Sequence, residues 1–288
     1  MYRHELTVLP SEAGCTGEMK LRALLNRMQD IAGFAVEKLE GAPGELLRRG
    51  YGWVLLKYEL EITGLPLIDE TAVVETRHTT GDGFHTLRVF RVFAAANETE
   101  TLVLAKTSWV LFDLAVGRPV RAARHIPEVF SDVAGDPPID PDFAAIPKFS
   151  GSALKNVPVL SERAFPVRFH DLDSNGHVNN AVYFEWAFEG TPLNPLAWSL
   201  REMRAEFRVS AKLGDTVLTR VKEISPPPLQ GPGRAFVYDM TGGGGGSDER
   251  DQEGERGDRA GERPERPLAR FFSVWTPLSE REPRRGAF

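Results

Sequence analysis

The sequence predicts an α+β fold in two similar halves, each with one helix followed by a run of antiparallel strands. In the first half, apolar residues recur at helical spacing over Leu21–Glu40, and the even-numbered residues of Val54–Ile62 are apolar, as in a half-buried strand. The second half repeats this order, with a candidate helix at Asn179–Gly190 and an alternating segment at Leu200–Ala211. One long helix against a curved antiparallel sheet buries an apolar face of each element. Two such units can pair their sheets about a pseudo-twofold axis.

Further segments are rich in β-branched and aromatic residues, which predicts additional strands. The repeat of the two halves is visible here too, since GDTVLTRV in the second half mirrors DETAVVET in the first. The predicted strands are Glu70–Arg77, Phe84–Phe93 and Thr101–Asp113 in the first half, and Phe165–Phe169, Gly214–Val221, Arg234–Met240 and Leu268–Leu278 in the second.

Two segments have a composition that disfavours regular structure. Residues 132–152 are rich in Pro, Asp, Gly and Ala, and we predict that they link an N-terminal domain (1–131) to a C-terminal domain (153–288). A segment at about 242–267 begins with a glycine run and continues with charged sequence that lacks aromatic residues. Such a segment cannot bury enough surface to offset its ordering entropy. We predict a disordered insert that enlarges a hairpin loop.

The overall composition is that of a globular protein acting on a small or tethered ligand. The 288 residues are 41% hydrophobic and 26% charged, enough to bury a core without a disulfide or metal. A net charge of −6 without a basic stripe argues against nucleic-acid binding. The single cysteine, Cys15, excludes an intrachain disulfide, and neither an apolar leader nor a membrane-spanning stretch is visible. These features predict a cytoplasmic protein that does not cross a membrane.

The densest polar cluster beside apolar sequence lies in Arg168–Asn180, between a predicted strand and a predicted helix. Asn and Gly favour a turn here, and Asn179 or Asn180 can cap the helix. The free N–H groups of a helix N-terminus stabilise developing negative charge. The segment combines this helix end with carboxylate, amide and imidazole groups, on Asp171, Asp173, Asn175, His177, Asn179 and Asn180.

Asp173, Asn175 and His177 supply the groups that hydrolysis of a thioester requires. The carbonyl must be polarised, water must be activated, and the tetrahedral oxyanion must be held. His177 can transfer protons near neutral pH. Asp173 can orient a histidine or a water, or attack the carbonyl directly, and Asn175 can bind water or the carbonyl oxygen. This pattern predicts a hydrolytic site.

Two other interpretations of the same segment remain open. Its D-x-D-x-N-G opening from Asp171 to Gly176 matches the start of a calcium-binding loop, but Val182 stands where such a loop has its last glutamate. Alternatively, the segment is a capped turn without chemistry, in which His177 only satisfies a local hydrogen bond.

The segment Asp171–Trp186, DLDSNGHVNNAVYFEW, resembles the active-site segment of acyl-ACP thioesterases, which release free fatty acid from acyl carrier protein (ACP) and so end fatty-acid synthesis. In the first half, MKLRALLNRMQDIAG, GWVLLKYELEI and SWVLFDLAVGRPVR follow the order of segments in that family. The resemblance extends from about Glu5 to Val221 and resumes at Leu268–Trp275. Single-domain hotdog acyl-CoA thioesterases carry a similar D-x-N-G-H-V-N-N segment, so the doubled length and the N-terminal half indicate the acyl-ACP type.

The resemblance implies two tandem hotdog domains whose sheets pair as a pseudo-dimer. It implies hydrolysis of acyl-ACP by a monomeric pseudo-dimer or a homodimer, with acyl carrier protein as the partner. No cofactor or metal is expected, since phosphopantetheine arrives as part of the substrate. The N-terminal domain is expected to shape the acyl pocket.

Carried over by motif, the family's catalytic residues fall on Asp173, Asn175 and His177, and the candidates for contact with substrate are Val178, Asn179 and Ser210. Plant members place a Glu-Cys pair on the strand after the helix, where this sequence has Ser210 and Ala211. A catalytic cysteine is not expected, because Cys15 lies in the other half. The N-terminal half has SEAGCTGEMKL in place of the catalytic segment, which implies one active centre per chain.

Acyl-ACP hydrolysis is thus the function that the sequence favours, and two alternatives accompany it. One is an acyl-CoA thioesterase on a tandem hotdog scaffold. The other is a non-catalytic acyl-binding protein, which would explain the missing Glu and Cys. Because acyl carrier proteins are acidic, arginines clustered on one predicted strand are candidates for docking the carrier, with a solvated surface as their alternative role: Arg201, Arg204 and Arg208.

Overall fold

The computed structural model contains a single antiparallel sheet of eleven strands in the part of the chain that it describes, residues 1–37, 43–80, 84–126, 154, 156–224, 232–243 and 266–278. The first half runs β1 (Tyr2–Thr7), α1 (Leu21–Phe34), α2 (Pro43–Arg48), β2 (Tyr51–Ile62), β3 (Thr71–Thr80), β4 (His85–Ala94), β5 (Thr101–Asp113), β6 (Arg118–Val120) and α3 (Ala122–His125). The second half runs β7 (Val159–Pro166), a 3-10 turn (Phe169–Asp171), α4 (Asn180–Gly190), β8 (Trp198–Phe207), β9 (Thr216–Ile224), β10 (Arg234–Gly243) and β11 (Arg266–Pro277).

The sheet has the pseudo-twofold arrangement that the sequence predicts. Its strand order is β1-β3-β4-β5-β2-β8-β11-β10-β9-β7, with the short β6 paired to β5. Strands β2 and β8 meet at the centre, where Glu59 stands opposite Arg204. Outward from this pair the strand order is the same on both sides, which confirms that two similar sheets pair through equivalent strands.

Helices α1 and α4 pack on one face of the sheet, which we call the inner face, and enclose a shared hydrophobic core. Tyr58 of β2 contacts both helices. Its hydroxyl lies 3.9 Å from the sulfur of Met28 in α1, and its ring packs edge-on against Phe184 of α4 with the centroids 5.3 Å apart. The two halves are therefore joined by side-chain packing as well as by the central strand pair.

The predicted alternation of Val54–Ile62 is wrong at its start. The pairing register with β5 shifts between Leu55 and Lys57, so Leu56 is an extra residue in a β-bulge. A one-residue insertion moves the preceding side chains to the opposite face. Leu55 is accordingly buried, and Val54, predicted to face the core, is 38% exposed.

Two predicted elements are longer than those observed. Helix α1 ends at Phe34 instead of Glu40, because Val36 and Glu37 donate to carbonyls three residues back and tighten the chain into a turn; residues 38–40 lie outside the described residues. Strand β8 ends at Phe207 instead of Ala211, where the N–H groups of the next two residues share the Leu268 carbonyl and the ladder stops. In the described ranges no helix is long and apolar enough to cross a membrane.

The predicted linker, residues 132–152, lies outside the described residues, and so does most of the predicted insert. At the edges of the insert the structure differs from the prediction, since β10 continues to Gly243 and β11 begins at Arg266. Residues 242, 243, 266 and 267 therefore belong to paired strands. The domain boundaries themselves remain a prediction.

Deleting residues 247–265 is expected to change the free energy of unfolding by no more than about 1 kcal/mol, because loop length enters through a logarithm. Arg266 is retained, since it opens β11 and its guanidinium lies 3.3 Å from the Asp215 carboxylate. Denaturant unfolding of the full and shortened chains measures the difference. A larger loss, or insoluble expression of the shortened chain, would show that the insert packs or binds a partner.

Candidate active site

The candidate site is a tight loop between β7 and α4. The Asp173 N–H donates to the His177 carbonyl at 2.7 Å, and the Gly176 N–H donates back to the Asp173 carbonyl at 3.0 Å. Closing so short a loop requires φ of +73° at Gly176, a conformation that glycine adopts without strain. The backbone alone thus sets the spacing of Asp173, Asn175 and His177.

The Asp173 carboxylate is held by the loop that it begins. Its Oδ1 accepts hydrogen bonds from the N–H groups of Asn175 at 2.8 Å and His177 at 3.2 Å. Aspartate commonly binds backbone N–H groups a few residues ahead in this way. One carboxylate oxygen is therefore fixed, and the half-buried side chain keeps its second oxygen for a water or a substrate.

The loop is anchored to the segment that follows β8. The Val178 N–H donates to the Ala211 carbonyl at 2.9 Å, and the Ala211 N–H donates to the Tyr183 hydroxyl of α4 at 2.9 Å. Burial raises the pKa of Tyr183 to about 12, so its hydroxyl stays protonated at neutral pH. This pair of hydrogen bonds brings Ser210, which is exposed, beside the candidate loop.

Asn179 serves as the N-cap of α4. Its side-chain oxygen accepts from the Ala181 N–H at 2.8 Å, which confirms one of the two caps that the sequence offered. A large cavity opens beside the loop, and within the described chain its wall includes Asn180 but not Asn179. The predicted contact of Asn179 with substrate therefore has no support from its geometry.

The Asp171 carboxylate binds Arg168. Asp171 is buried, and its carboxylate accepts from the Arg168 N–H at 2.9 Å and from the Arg168 guanidinium at 2.8 and 3.0 Å. Burial by itself would raise the pKa of Asp171, but the hydrogen bonds from Arg168 outweigh it and hold that pKa below its usual value. A calcium loop would need the Asp171 and Asp173 carboxylates on one ion. No cluster of three or more His, Cys, Asp or Glu side chains suited to a metal occurs in the described residues.

One open cavity of about 1590 Å³ joins the two halves at this loop. From the C-terminal half its wall contains all three predicted catalytic residues, together with Val178 and Ser210. From the N-terminal half it contains parts of α1, α2 and strands β2 to β5, including Ala32, Phe34, Trp53, Leu55, Leu56 and Trp109. The tertiary structure thus places the polar loop at a cavity whose wall is supplied largely by the other half and contains both apolar and charged side chains.

Side chains fill the interior of the C-terminal half at the position where the N-terminal half has an open cavity. Trp109 and Trp275 are equivalent, since their Nε1–H groups donate to Thr107 at 2.8 Å and to Ser273 at 2.7 Å. Trp275 is 1% exposed and packs on Phe188 with the ring centroids 5.1 Å apart. Trp109 instead lines the cavity. The open volume thus lies in the N-terminal half, and its use as an acyl pocket stays a prediction.

The N-terminal half contains a loop of the same shape without the predicted catalytic groups. The Gly14 N–H donates to the Glu18 carbonyl at 2.8 Å, and Gly17 has φ of +77°. By these matches Gly14, Thr16 and Glu18 occupy the places of Asp173, Asn175 and His177. The loop shape therefore does not require the predicted catalytic side chains, and the described residues carry one complete set of them.

Comparison with known proteins identifies the family. The N-terminal domain of acyl-ACP thioesterases matches residues 1–130, and the C-terminal domain matches residues 154–229. A chloroplastic acyl-acyl-carrier-protein hydrolase of Cuphea viscosissima is 25% identical over 203 residues, which are 67% of this chain and 47% of that protein. The chain spans about half the length of the curated relatives it matches.

Solved structures show the same fold. An acyl-ACP thioesterase from Bacteroides thetaiotaomicron has a TM-score of 0.73 at 17% identity, with 95% of this chain and 97% of that one covered. The 12:0-ACP thioesterase from Umbellularia californica also has a TM-score of 0.73 at 17% identity, with 96% and 97% covered. The fold is thus the tandem hotdog that the sequence predicts. The two domain matches span most of the residues, and the chain belongs to the acyl-ACP thioesterase family.

Proposed function

We propose that this protein hydrolyses the thioester of acyl-ACP and releases a free fatty acid. The observation that carries the proposal is the meeting of Asp173, Asn175 and His177 on the wall of one cavity large enough for an acyl chain. The family and its relatives' names support the same reaction. Thioester cleavage measured on matched acyl-ACP and acyl-CoA substrates tests it.

In the proposed mechanism, water attacks the carbonyl carbon and the bond to sulfur breaks. Asp173, with one oxygen fixed by two N–H groups, orients the water. His177 accepts the proton that the attacking water loses and passes it to the departing sulfur, so that the products are the carboxylic acid and the free thiol of the carrier. Asn175 and the N-terminus of α4 hold the carbonyl oxygen as it becomes negative. Ser210, which stands where plant members have glutamate, can bind the water but cannot act as a base.

Direct attack by Asp173 on the carbonyl is the alternative to water activation. The two routes differ in whether the acyl group is ever bound to the protein. Rapid quench of a single turnover, followed by mass spectrometry of the protein, detects an acyl group on Asp173 only if that residue attacks the carbonyl directly.

The carrier is proposed to dock beside Arg208. Of the three candidate arginines, the docking prediction is wrong for Arg204, because this residue is only 5% exposed. It pairs with Glu202 at 2.5 Å and stacks over a buried phenylalanine. Arg201 is half-buried and donates to Thr276 at 2.9 Å. Arg208 is exposed at the cavity and also borders a groove whose charged side chains are Arg208, Arg220, Lys222, Arg270 and Asp239. The excess of positive charge in this groove suits an acidic protein.

Reversing the charge at Arg208 is expected to raise KM for acyl-ACP by about tenfold at low salt and by less at high salt, because salt screens exposed charges. The variant Arg208→Glu is compared with Arg163→Glu, an exposed arginine on the edge strand β7. Steady-state kinetics on acyl-ACP and on a short acyl-CoA measure both effects. Equal changes on the two carriers would favour the acyl-CoA alternative.

The proposal also covers the oligomeric state, the cellular location and the need for a cofactor. A pseudo-dimer within one chain can act as a monomer, and assembly into a homodimer remains open. We propose action in the cytoplasm without a resident cofactor or metal. The non-catalytic alternative would be favoured if the folded protein bound fatty acids but cleaved neither acyl-ACP nor acyl-CoA.

A further inference from the structure

The cavity wall changes from apolar to polar across the N-terminal sheet. At β2, next to the catalytic half, the wall contains Trp53 and Leu55. At β4, two strands farther out, it contains Thr86 and Arg88. At β3, three strands farther out, it contains His78. Along the sheet side of the cavity, an acyl chain that enters at the candidate catalytic loop therefore meets apolar side chains first and polar side chains farther in.

Arg88 is the charged group among these polar side chains. It is 7% exposed, and its guanidinium lies 3.3 Å from the Thr76 hydroxyl. Within the described residues no carboxylate lies in ion-pair contact with it. Burial lowers the pKa of Arg88 to about 10, which still leaves it protonated at neutral pH. Burial and the nearby Arg88 charge lower the pKa of His78 to about 3, so the histidine is neutral.

The other half shows that the fold does not require a charge at this position. Arg88 stands opposite Thr107 in β5, and Phe236 stands opposite the equivalent Ser273 in β11. Phe236 is therefore the pseudo-symmetric counterpart of Arg88. It is fully buried in the hydrophobic core. The same place in the fold is filled by an aromatic ring in one half and by a guanidinium facing the cavity in the other.

We propose that Arg88 limits the length of the acyl chain that the cavity accepts, and thereby restricts the protein to medium-chain substrates. The inference rests on the proposed thioesterase function and adds the substrate class to it. A terminal methyl group placed against the guanidinium would displace the water that solvates the charge and return no hydrogen bond. The chain is therefore bound favourably only until it approaches Arg88.

The sheet register gives the scale of the limit. The cavity wall contains Phe207, Leu55, Trp109 and Thr86 of β8, β2, β5 and β4; Leu55 pairs with Trp109, and Trp109 with Thr86. Arg88 lies two residues from Thr86 on the same face of β4. Three inter-strand spacings separate β8 from β4, a distance of about 14 Å. An extended chain covers ~3.5 Å in three bonds, so roughly a dozen bonds span this distance.

The test measures kcat/KM for saturated acyl-ACPs of increasing even chain length. For the unmodified protein we expect a rise of about fourfold per buried CH₂ up to roughly a dozen carbons, followed by a fall. In Arg88→Met the rise continues, with a gain of about tenfold on the first chain beyond that limit. Arg88→Lys keeps the charge and keeps the limit. Arg91→Met, which removes an arginine of β4 that pairs with Glu75 at 3.4 Å on the other face, leaves the length profile unchanged.

Binding of free fatty acids gives a second readout that does not depend on turnover. In the unmodified protein, the Kd for free fatty acids should stop decreasing at the same chain length. In Arg88→Met it should continue to decrease. An identical length profile in the two proteins overturns the proposal. So does a preference for chains with a distal carboxylate over plain chains of equal length, since Arg88 would then bind substrate. A length limit in binding without any thioester cleavage supports the role of Arg88 and contradicts the thioesterase function.

Discussion

Replacing His177 with alanine is expected to lower kcat by about two to four orders of magnitude, the usual contribution of a general acid–base group. Folding should be unaffected, because the loop is closed by backbone bonds that alanine preserves, such as the 2.7 Å bond from the Asp173 N–H to the residue 177 carbonyl. Steady-state kinetics on acyl-ACP, with thermal unfolding of the same preparations, separate these two effects.

The chain offers a matched control for this variant in its N-terminal half. Glu18 occupies the same position in a loop of the same shape, and its carbonyl accepts the equivalent N–H bond at 2.8 Å. Glu18→Ala is expected to retain nearly full activity, since this loop lacks the aspartate and the amide. A His177→Ala protein that kept more than about half of the original turnover would exclude His177 from the acid–base role.

Replacing Asp173 with asparagine is expected to abolish most turnover while leaving substrate affinity nearly unchanged. The amide oxygen can still accept the N–H groups of Asn175 and His177, now 2.8 and 3.2 Å from Oδ1, so the loop geometry is kept. The negative charge that activates water, or the nucleophile itself, is lost. The loss then falls on the transition state and appears in kcat.

Asp113 provides the control for the change of charge within a turn. Its Oδ1 accepts from the N–H groups of Ala115 and Val116, each at 3.0 Å, in the hairpin between β5 and β6. Asp113→Asn should therefore match Asp173→Asn in its effect on turn stability and leave kcat unchanged. Equal loss of kcat in both variants, or a loss at Asp173 confined to KM, would contradict a catalytic role for the Asp173 charge.

Much of the fold could be predicted because its signals are local. Strand β5 has the predicted bounds, Thr101–Asp113, and α4 begins directly after its cap, Asn179. Period-two alternation and capping residues depend on near neighbours, which the sequence displays. The edge strand β1, Tyr2–Thr7, was not predicted, because it is mostly polar and only Leu6 is buried in it.

The elements that were predicted wrongly depend on partners distant in sequence. The bulge at Leu56 exists because β2 must match β5 on one side and β8 on the other. Arg204 alternates like a surface residue, yet it lies at the centre of the sheet, opposite Glu59. Periodicity tells which residues share a face of a strand, but not whether another strand or loop covers that face.

For the candidate site, the sequence by itself determined which groups stand together: a glycine turn spaces a carboxylate, an amide and an imidazole before a capped helix. It also determined that the N-terminal half lacks this set. Only the tertiary structure decided where a cavity opens beside these groups. Aromatic side chains fill the C-terminal interior around Trp275, whereas the N-terminal interior stays open beside Trp109, with Arg88 in the cavity wall. Whether a cavity exists depends on how side chains from different strands and helices fill a shared volume, and no single segment carries that information.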